Sequence, residues 1–106
     1  NHPISAEVAD ALAQRGVDVL PDILANAGGV VVSYFEWAQN RSAAEWINAD
    51  FDGLLDSRMR EATGAVLERA RKTKKDFRQA AYEIAVKRVA AAERRRGLLP
   101  RIAATP

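Results

Sequence analysis

The sequence contains no cysteine. That excludes disulfide staples and thiolate metal sites, and it argues against a small secreted scaffold. It has a single histidine, His2, too few for a typical zinc site, so no metal centre is expected in this chain. No apolar run approaches the roughly 18–20 residues that a membrane span requires, and the amino terminus has no charged-then-apolar leader. Neither sign of charge dominates: 16 lysines and arginines face 14 aspartates and glutamates, for a net charge of +2. A polyanionic partner is not implied by so small an excess. The chain starts at Asn1-His2-Pro3 without a methionine, and the expectation is a piece of a longer cytoplasmic protein.

What is present reads as one small domain's worth of chain. Its 106 residues are 48% hydrophobic and 28% charged, an ordinary balance for a globular fold. Ser5 suits a helix N-cap, Val8, Ala11 and Leu12 follow at helical spacing, and Gly16 is placed to end the helix in a left-handed conformation. Val17-Asp18-Val19-Leu20-Pro21 is too short for a helix and ends on proline, which predicts a strand. Gly28-Gly29 predicts a sharp turn opening a helix over 30–38, with Val30, Ser33, Tyr34 and Trp37 on one face. Residues 40–52 predict a polar loop and a helix entry.

From Gly53 the apolar positions Leu55, Met59, Ala62, Val66 and Ala70 form a helical stripe, supported by Asp56–Arg60 and Glu68–Lys72 pairs four residues apart. Lys72-Thr73-Lys74-Lys75 interrupts it. Asp76 then caps a last helix reaching Arg96, with Phe77, Ala81, Ile84, Ala85 and Val89 on one side; Gly97 and Pro100 close it. A lone strand cannot satisfy both its edges. The fold class expected is therefore α/β and helix-rich, the end of a parallel sheet whose other strands lie upstream.

The run from Pro21 to Trp37 carries the chemistry. Beyond the carboxyl end of a strand in an open α/β sheet lies the crevice where ligands bind. Asn26 offers an amide with donors and an acceptor, suited to a ligand carboxamide. The glycines make room for a ring or phosphate, and Ser33 can present its hydroxyl one turn into the helix. Asn26-Ala27-Gly28-Gly29-Val30-Val31-Val32-Ser33-Tyr34-Phe35-Glu36-Trp37 resembles the N-A-G-G-V-x-V-S-Y-F-E-W segment of glutamate dehydrogenases. Asn1-His2-Pro3-Ile4-Ser5 is similar to that family's A-N-x-P-[IT]-[ST] loop, and Ala80 to Val89 resembles its closing A-A-Y-x-x-A-x-x-R-V pattern. Three motifs in order cover most of the chain. Ser33-Tyr34-Phe35-Glu36-Trp37 favours glutamate over the apolar amino acids taken by leucine and phenylalanine dehydrogenases.

The resemblance implies the carboxyl-terminal part of a Rossmann-like dinucleotide-binding domain over residues 1–50. It implies that residues 51–106 are helices packing back toward a substrate domain absent from the chain. The implied parent reaction is reversible oxidative deamination of L-glutamate to 2-oxoglutarate and ammonia with NAD or NADP. By the resemblance, Asn26 and Asn1 contact the coenzyme's nicotinamide end, Ser33 bonds the substrate side-chain carboxylate, and Val30 walls the substrate pocket. No catalytic residue is expected here: no lysine precedes Asp56, and the family's catalytic lysine, aspartate and glycine-rich fingerprint fall upstream. The chain alone is expected to be inactive. Its expected partners are the remainder of the dehydrogenase, or other copies met through exposed apolar surface.

Other readings stand beside these. Asn26 can simply fix its turn, Ser33 can bond back to its own helix, and Tyr34, Phe35, Trp37, Trp46 and Phe51 are expected in the core. Basic clusters at Arg69–Lys75 and Arg94–Arg96 suggest a basic helical or nucleic-acid-binding module as the alternative. Their position at helix carboxyl ends and the lack of interleaved aromatics argue against it.

Overall fold

The computed structural model describes residues 3–42 and 51–98. Five helices follow in order: α1 (Ala6–Gln14), α2 (Asp22–Ala25), α3 (Ala27–Arg41), α4 (Phe51–Thr73) and α5 (Phe77–Arg95). The boundary chemistry acts as the sequence predicts. Ser5 Oγ accepts from Val8 N–H at 3.4 Å, and an Asp76 carboxylate oxygen accepts from Gln79 N–H at 2.8 Å. Gly16 and Gly97 sit at φ +72° and +78°. Each closes its helix with a pair of backbone bonds, Gly16 N to Ala13 O with Val17 N to Leu12 O, and Gly97 N to Arg94 O with Leu98 N to Glu93 O.

No strand occurs among the described residues. Val17–Pro21, expected as a strand, belongs to no regular element. The physical reason is that strand pairing needs a second strand, and the described chain has none to offer. The expected Rossmann-like strands are accordingly absent from the described residues, whose regular structure is all helical. Residues 22–25, for which the sequence predicts no element, form a short helix. One further expectation changes. Gly28 and Gly29 lie within the first turn of α3 rather than in a sharp turn, and α3 runs on through Asn40 to Arg41. Trp46 and the rest of the predicted loop over 43–50 lie outside the described residues.

The core sits where α4 and α5 meet. Three residues join them, short enough to force the helices into neighbouring, opposed directions. Val66 and Ala70 of α4 pack with Ala80 and Ala81 of α5 and Leu24 of α2, flanked by Ala62, Phe77 and Ile84. The small residues at 80 and 81 let the two helices approach closely. Phe35, buried, fastens α3 to this pair through Phe51, with ring centroids 6.1 Å apart. The stripe Leu55–Met59–Ala62–Val66–Ala70 is buried or half-buried along its length, as its spacing predicts. On α1, by contrast, Val8 and Ala11 remain exposed.

The turn between α4 and α5 holds Lys74 at φ +55°. Lys75 N–H reaches back to Ala70 O at 3.3 Å, the bond that ends a helix through a left-handed residue. A side chain there is strained where glycine is not. Lys74→Gly is expected to raise stability by about 1 kcal/mol, read as a melting temperature several degrees higher.

The fold leaves unusual surface uncovered. Its accessible area is 8447 Å², against about 5,800 Å² for a compact monomer of this mass. The Cα radius of gyration is 17.2 Å, against about 13 Å for a compact chain of about 100 residues.

Candidate functional site

The turn into α3 places Asn26. Its φ and ψ are −95° and 5°, its N–H is held by Asp22 O at 2.9 Å, and it ends α2 while opening α3. The side chain does not cap α3, so capping, the simplest structural role for an asparagine at this position, is not its role. Asn26 instead lines an open hollow of about 550 Å³ together with Pro3, Ile4, Leu20, Asp22 and Arg78. That volume lies within the roughly 300–1,000 Å³ of small-molecule sites. The hollow joins the first and second sequence motifs: the loop that follows Asn1 and the segment that leads into α3 share one wall. Asn1 itself lies outside the described residues.

Arg78 is the residue that sequence reading missed. It comes from the third motif's helix, and its guanidinium lies 5.1 Å from the centre of the Tyr82 ring. Only its place two residues after the Asp76 cap, beside a motif, could have pointed to it.

Val30 and Ser33 stand on α3 away from this hollow, exposed on the side opposite Phe35. Ser33 Oγ has no hydrogen-bond partner among the described residues. That separates it from Thr63 and Thr73, whose hydroxyls donate back to Met59 O and Arg69 O, both at 2.8 Å. The same face carries Tyr34 and Trp37, 60% and 55% exposed. The expectation from their aromatic character that they lie in the core is not met; of Tyr34, Phe35 and Trp37, Phe35 alone is buried. Gly29 is open too, since a Cβ built there meets nothing within 4 Å. The structure thus brings Asn26 to the N-terminal loop and sets Val30 and Ser33 on an outward face beside it.

Half of the basic residues in the two clusters, Arg69, Lys72, Lys75 and Arg96, are engaged by acids. Glu83 accepts from Arg69 Nε at 2.7 Å and from Lys75 Nζ, tying α5 to the end of α4. Lys75 and Arg69 together pull its carboxyl down to about 2. Lys72 bonds Glu68 at 2.5 Å, Arg60 bonds Asp56 at 2.6 Å, and Arg96 bonds Glu93 at 3.2 Å. Because the folded-state value of Glu83 lies below the ordinary carboxylate range, its contribution is present above about pH 4.3 and is lost as pH falls toward 2. Glu83→Gln is expected to lower the melting temperature near neutral pH. The gap to the unaltered chain should close as melts are repeated between about pH 5 and pH 2. Among the described residues there is no group of three or more histidine, cysteine, aspartate or glutamate side chains placed to hold a metal, and no helix long and apolar enough to cross a membrane.

Comparison with known proteins draws these features together. Residues 1–97 match the family model described as Glutamate/Leucine/Phenylalanine/Valine dehydrogenase. A glutamate dehydrogenase of Thermotoga maritima is 43% identical over 100 residues, covering 94% of this chain and 24% of the relative. An NAD-specific glutamate dehydrogenase of Staphylococcus aureus is 41% identical over 97 residues, covering 92% and 23%. NADP-specific glutamate dehydrogenase A1 of Halobacterium salinarum is 43% identical over 90 residues, covering 84% and 22%. Among solved structures, glutamate dehydrogenase from Peptoniphilus asaccharolyticus superposes with a TM-score of 0.77 at 35% identity, over 92% of this chain and 24% of that one. The chain spans about a quarter of the length of the relatives it matches.

Proposed function

The chain belongs to the glutamate/leucine/phenylalanine/valine dehydrogenase family, and from that membership we propose that it is the carboxyl-terminal part of an NAD(P)-dependent glutamate dehydrogenase. The parent reaction on this reading is the reversible oxidative deamination of L-glutamate to 2-oxoglutarate and ammonia, carried out in the cytoplasm. The observation that carries the proposal is the intact run Asn26–Trp37, set so that Asn26 opens onto a hollow and Ser33 faces outward with a free hydroxyl.

Each residue then has a physical task. The Asn26 amide matches the donor and acceptor of a nicotinamide carboxamide, with Asn1 as a second contact from the adjoining loop. The coenzyme, when bound, supplies the hydride acceptor. Ser33 donates to the carboxylate at the end of the substrate side chain, a charge-assisted bond that selects glutamate over apolar amino acids. Val30, one turn earlier on the same face, walls the substrate's methylenes. Residues 1–50 end the dinucleotide-binding domain, and α5 within residues 51–106 packs back toward the substrate domain. The exposed Tyr82, Val86 and Val89 on α5 favour that placement.

Catalysis needs a proton acceptor and a group that polarises the reacting carbon, and residues 1–106 supply no assigned candidate for either. Isolated, the chain is inert. The test is the intact mass of purified protein alongside glutamate-dependent reduction of NAD and NADP. A mass of this sequence without turnover, and turnover only in the longer parent, is the expected pair of results. Turnover by a chain of this mass alone would overturn the assignment of the catalytic groups to the remainder.

A further inference from the structure

We propose that Arg78 is a positioning residue for the coenzyme site, its side chain holding the loop that follows Asn1 in place beside Asn26. The inference rests on the reading given under Proposed function, and it adds to the coenzyme contacts named there a residue that touches no ligand itself.

Arg78 stands where two hollows meet. The hollow of about 550 Å³ that Asn26 lines and a smaller one of about 180 Å³ reaching Gly16 and Lys75 have Ala9, Val19 and Arg78 in common. Those three residues form the partition. Ala9 belongs to α1 and Val19 to the segment before α2, so Arg78 alone brings α5 into it. In the larger hollow it is also the only residue of α5 among those described, and it shares that wall with Pro3 and Ile4 of the loop.

Its guanidinium is held ready on its own helix. It lies 5.1 Å from the centre of the Tyr82 ring, one turn further along α5, an attraction that restricts its rotamers. It is half-buried and takes part in no hydrogen bond or ion pair among the described residues. Its charge acts instead on the first turn of α1. The Glu7 carboxyl lies below the ordinary carboxylate range, held there first by the Ser5 hydroxyl and its own backbone N–H, and then by the charge of Arg78. A cation beside a helix amino terminus is disfavoured by the helix dipole, and an acid in that turn removes the conflict. Ser5 is the N-cap of α1 and closes the loop that follows Asn1. The influence of Arg78 therefore reaches the loop through Glu7 and Ser5.

One side chain can matter here because α1 is weakly held. Ala9 is its only buried residue, and Val8 is 47% exposed. With so little apolar area behind it, the helix and its loop open easily. Without Arg78 the loop spends more time displaced, and bound coenzyme has to restore it. The loss falls on coenzyme affinity, since Val30 and Ser33 stand away from this hollow.

The test is Arg78→Gln, Glu7→Gln and the double variant in the full-length parent. Each is assayed for glutamate-dependent reduction of NAD and NADP, for coenzyme binding by titration without substrate, and for amide hydrogen exchange. Arg78→Gln is expected to raise the coenzyme KM and Kd by about three- to tenfold, with kcat and the glutamate KM held within about twofold. Amides of residues 6–9 should exchange faster in its coenzyme-free form. Glu7→Gln should move the coenzyme Kd the same way by about two- to threefold, and the double variant should be no worse than Arg78→Gln. A structural role alone would lower the melting temperature and the active fraction while leaving the coenzyme KM and Kd unmoved, and that pattern overturns the proposal. Weaker coenzyme binding with exchange unchanged also overturns it, because Arg78 would then be a direct ligand contact. Should Arg78→Gln fail to fold, the exposed Glu7→Gln decides, an unchanged Kd and exchange overturning the proposal. A parent that binds coenzyme without glutamate-dependent turnover would count against the functional reading, while Kd and exchange still decide the role of Arg78.

Discussion

Ser33→Ala in the parent enzyme is expected to raise the KM for glutamate by about 10- to 100-fold, following from the roughly 1.5–3 kcal/mol of a hydrogen bond to a charged group. Coenzyme affinity should stay unchanged, because Asn26 lines a hollow that Ser33 does not reach. The result is readable because Ser33 is exposed and contributes no bond to its own helix. Alanine is also the better helix former, so melting should hold steady or rise slightly. A merely structural serine would give the reverse pattern, with melting shifted and KM unmoved. The substrate comparison adds a second readout. The variant should lose preference for glutamate over an apolar amino acid of similar length, since only glutamate brings a carboxylate to that hydroxyl. Steady-state kinetics with both substrates, beside a coenzyme titration, checks each point.

How much of this was legible in the sequence depends on whether the responsible forces are local. Caps are local. Ser5, Asp76, Gly16 and Gly97 act within a turn of themselves, and all four perform as the sequence predicts. The α4 stripe is nearly as local, because its spacing alone decides which side chains can reach one neighbour. Val17–Pro21 was misread for the opposite reason. Its composition favours a strand, but a strand exists only through pairing with chain that the described residues do not contain. Tyr34 and Trp37 were expected in the core on aromatic character, which reports an appetite for burial and not which neighbour satisfies it. Their exposure and the unformed strand share a cause: each depends on a neighbour that the described residues do not supply. For the site, Asn26 and Ser33 stood out through a motif of specific residues at fixed spacing. Arg78 did not, because its place at the hollow depends on how α5 crosses the amino-terminal loop, a tertiary relation with no sequence period.

Phe35→Ala should have the largest effect on stability, a loss of about 3–5 kcal/mol, the usual range for removing a buried phenylalanine. The reason is positional. Phe35 is the only residue of α3 classed as buried, and its ring meets Phe51 at the start of α4. With no packing on the opposite face to hold it back, α3 can shift into the space left behind, which places the loss toward the lower end of that range. The α4–α5 pair keeps its own core through Val66, Ala70, Ala80 and Ala81, so the loss should fall unevenly along the chain. Hydrogen exchange should accelerate for amides of residues 31–41 and change far less for residues 77–95. Trp37→Ala is the matched control: it removes a larger side chain from the same helix, yet one already in water, and should alter stability of the isolated chain by only a few tenths of a kcal/mol. Measuring both variants by melting and by hydrogen exchange separates what the buried side of α3 contributes to packing from what its exposed side contributes.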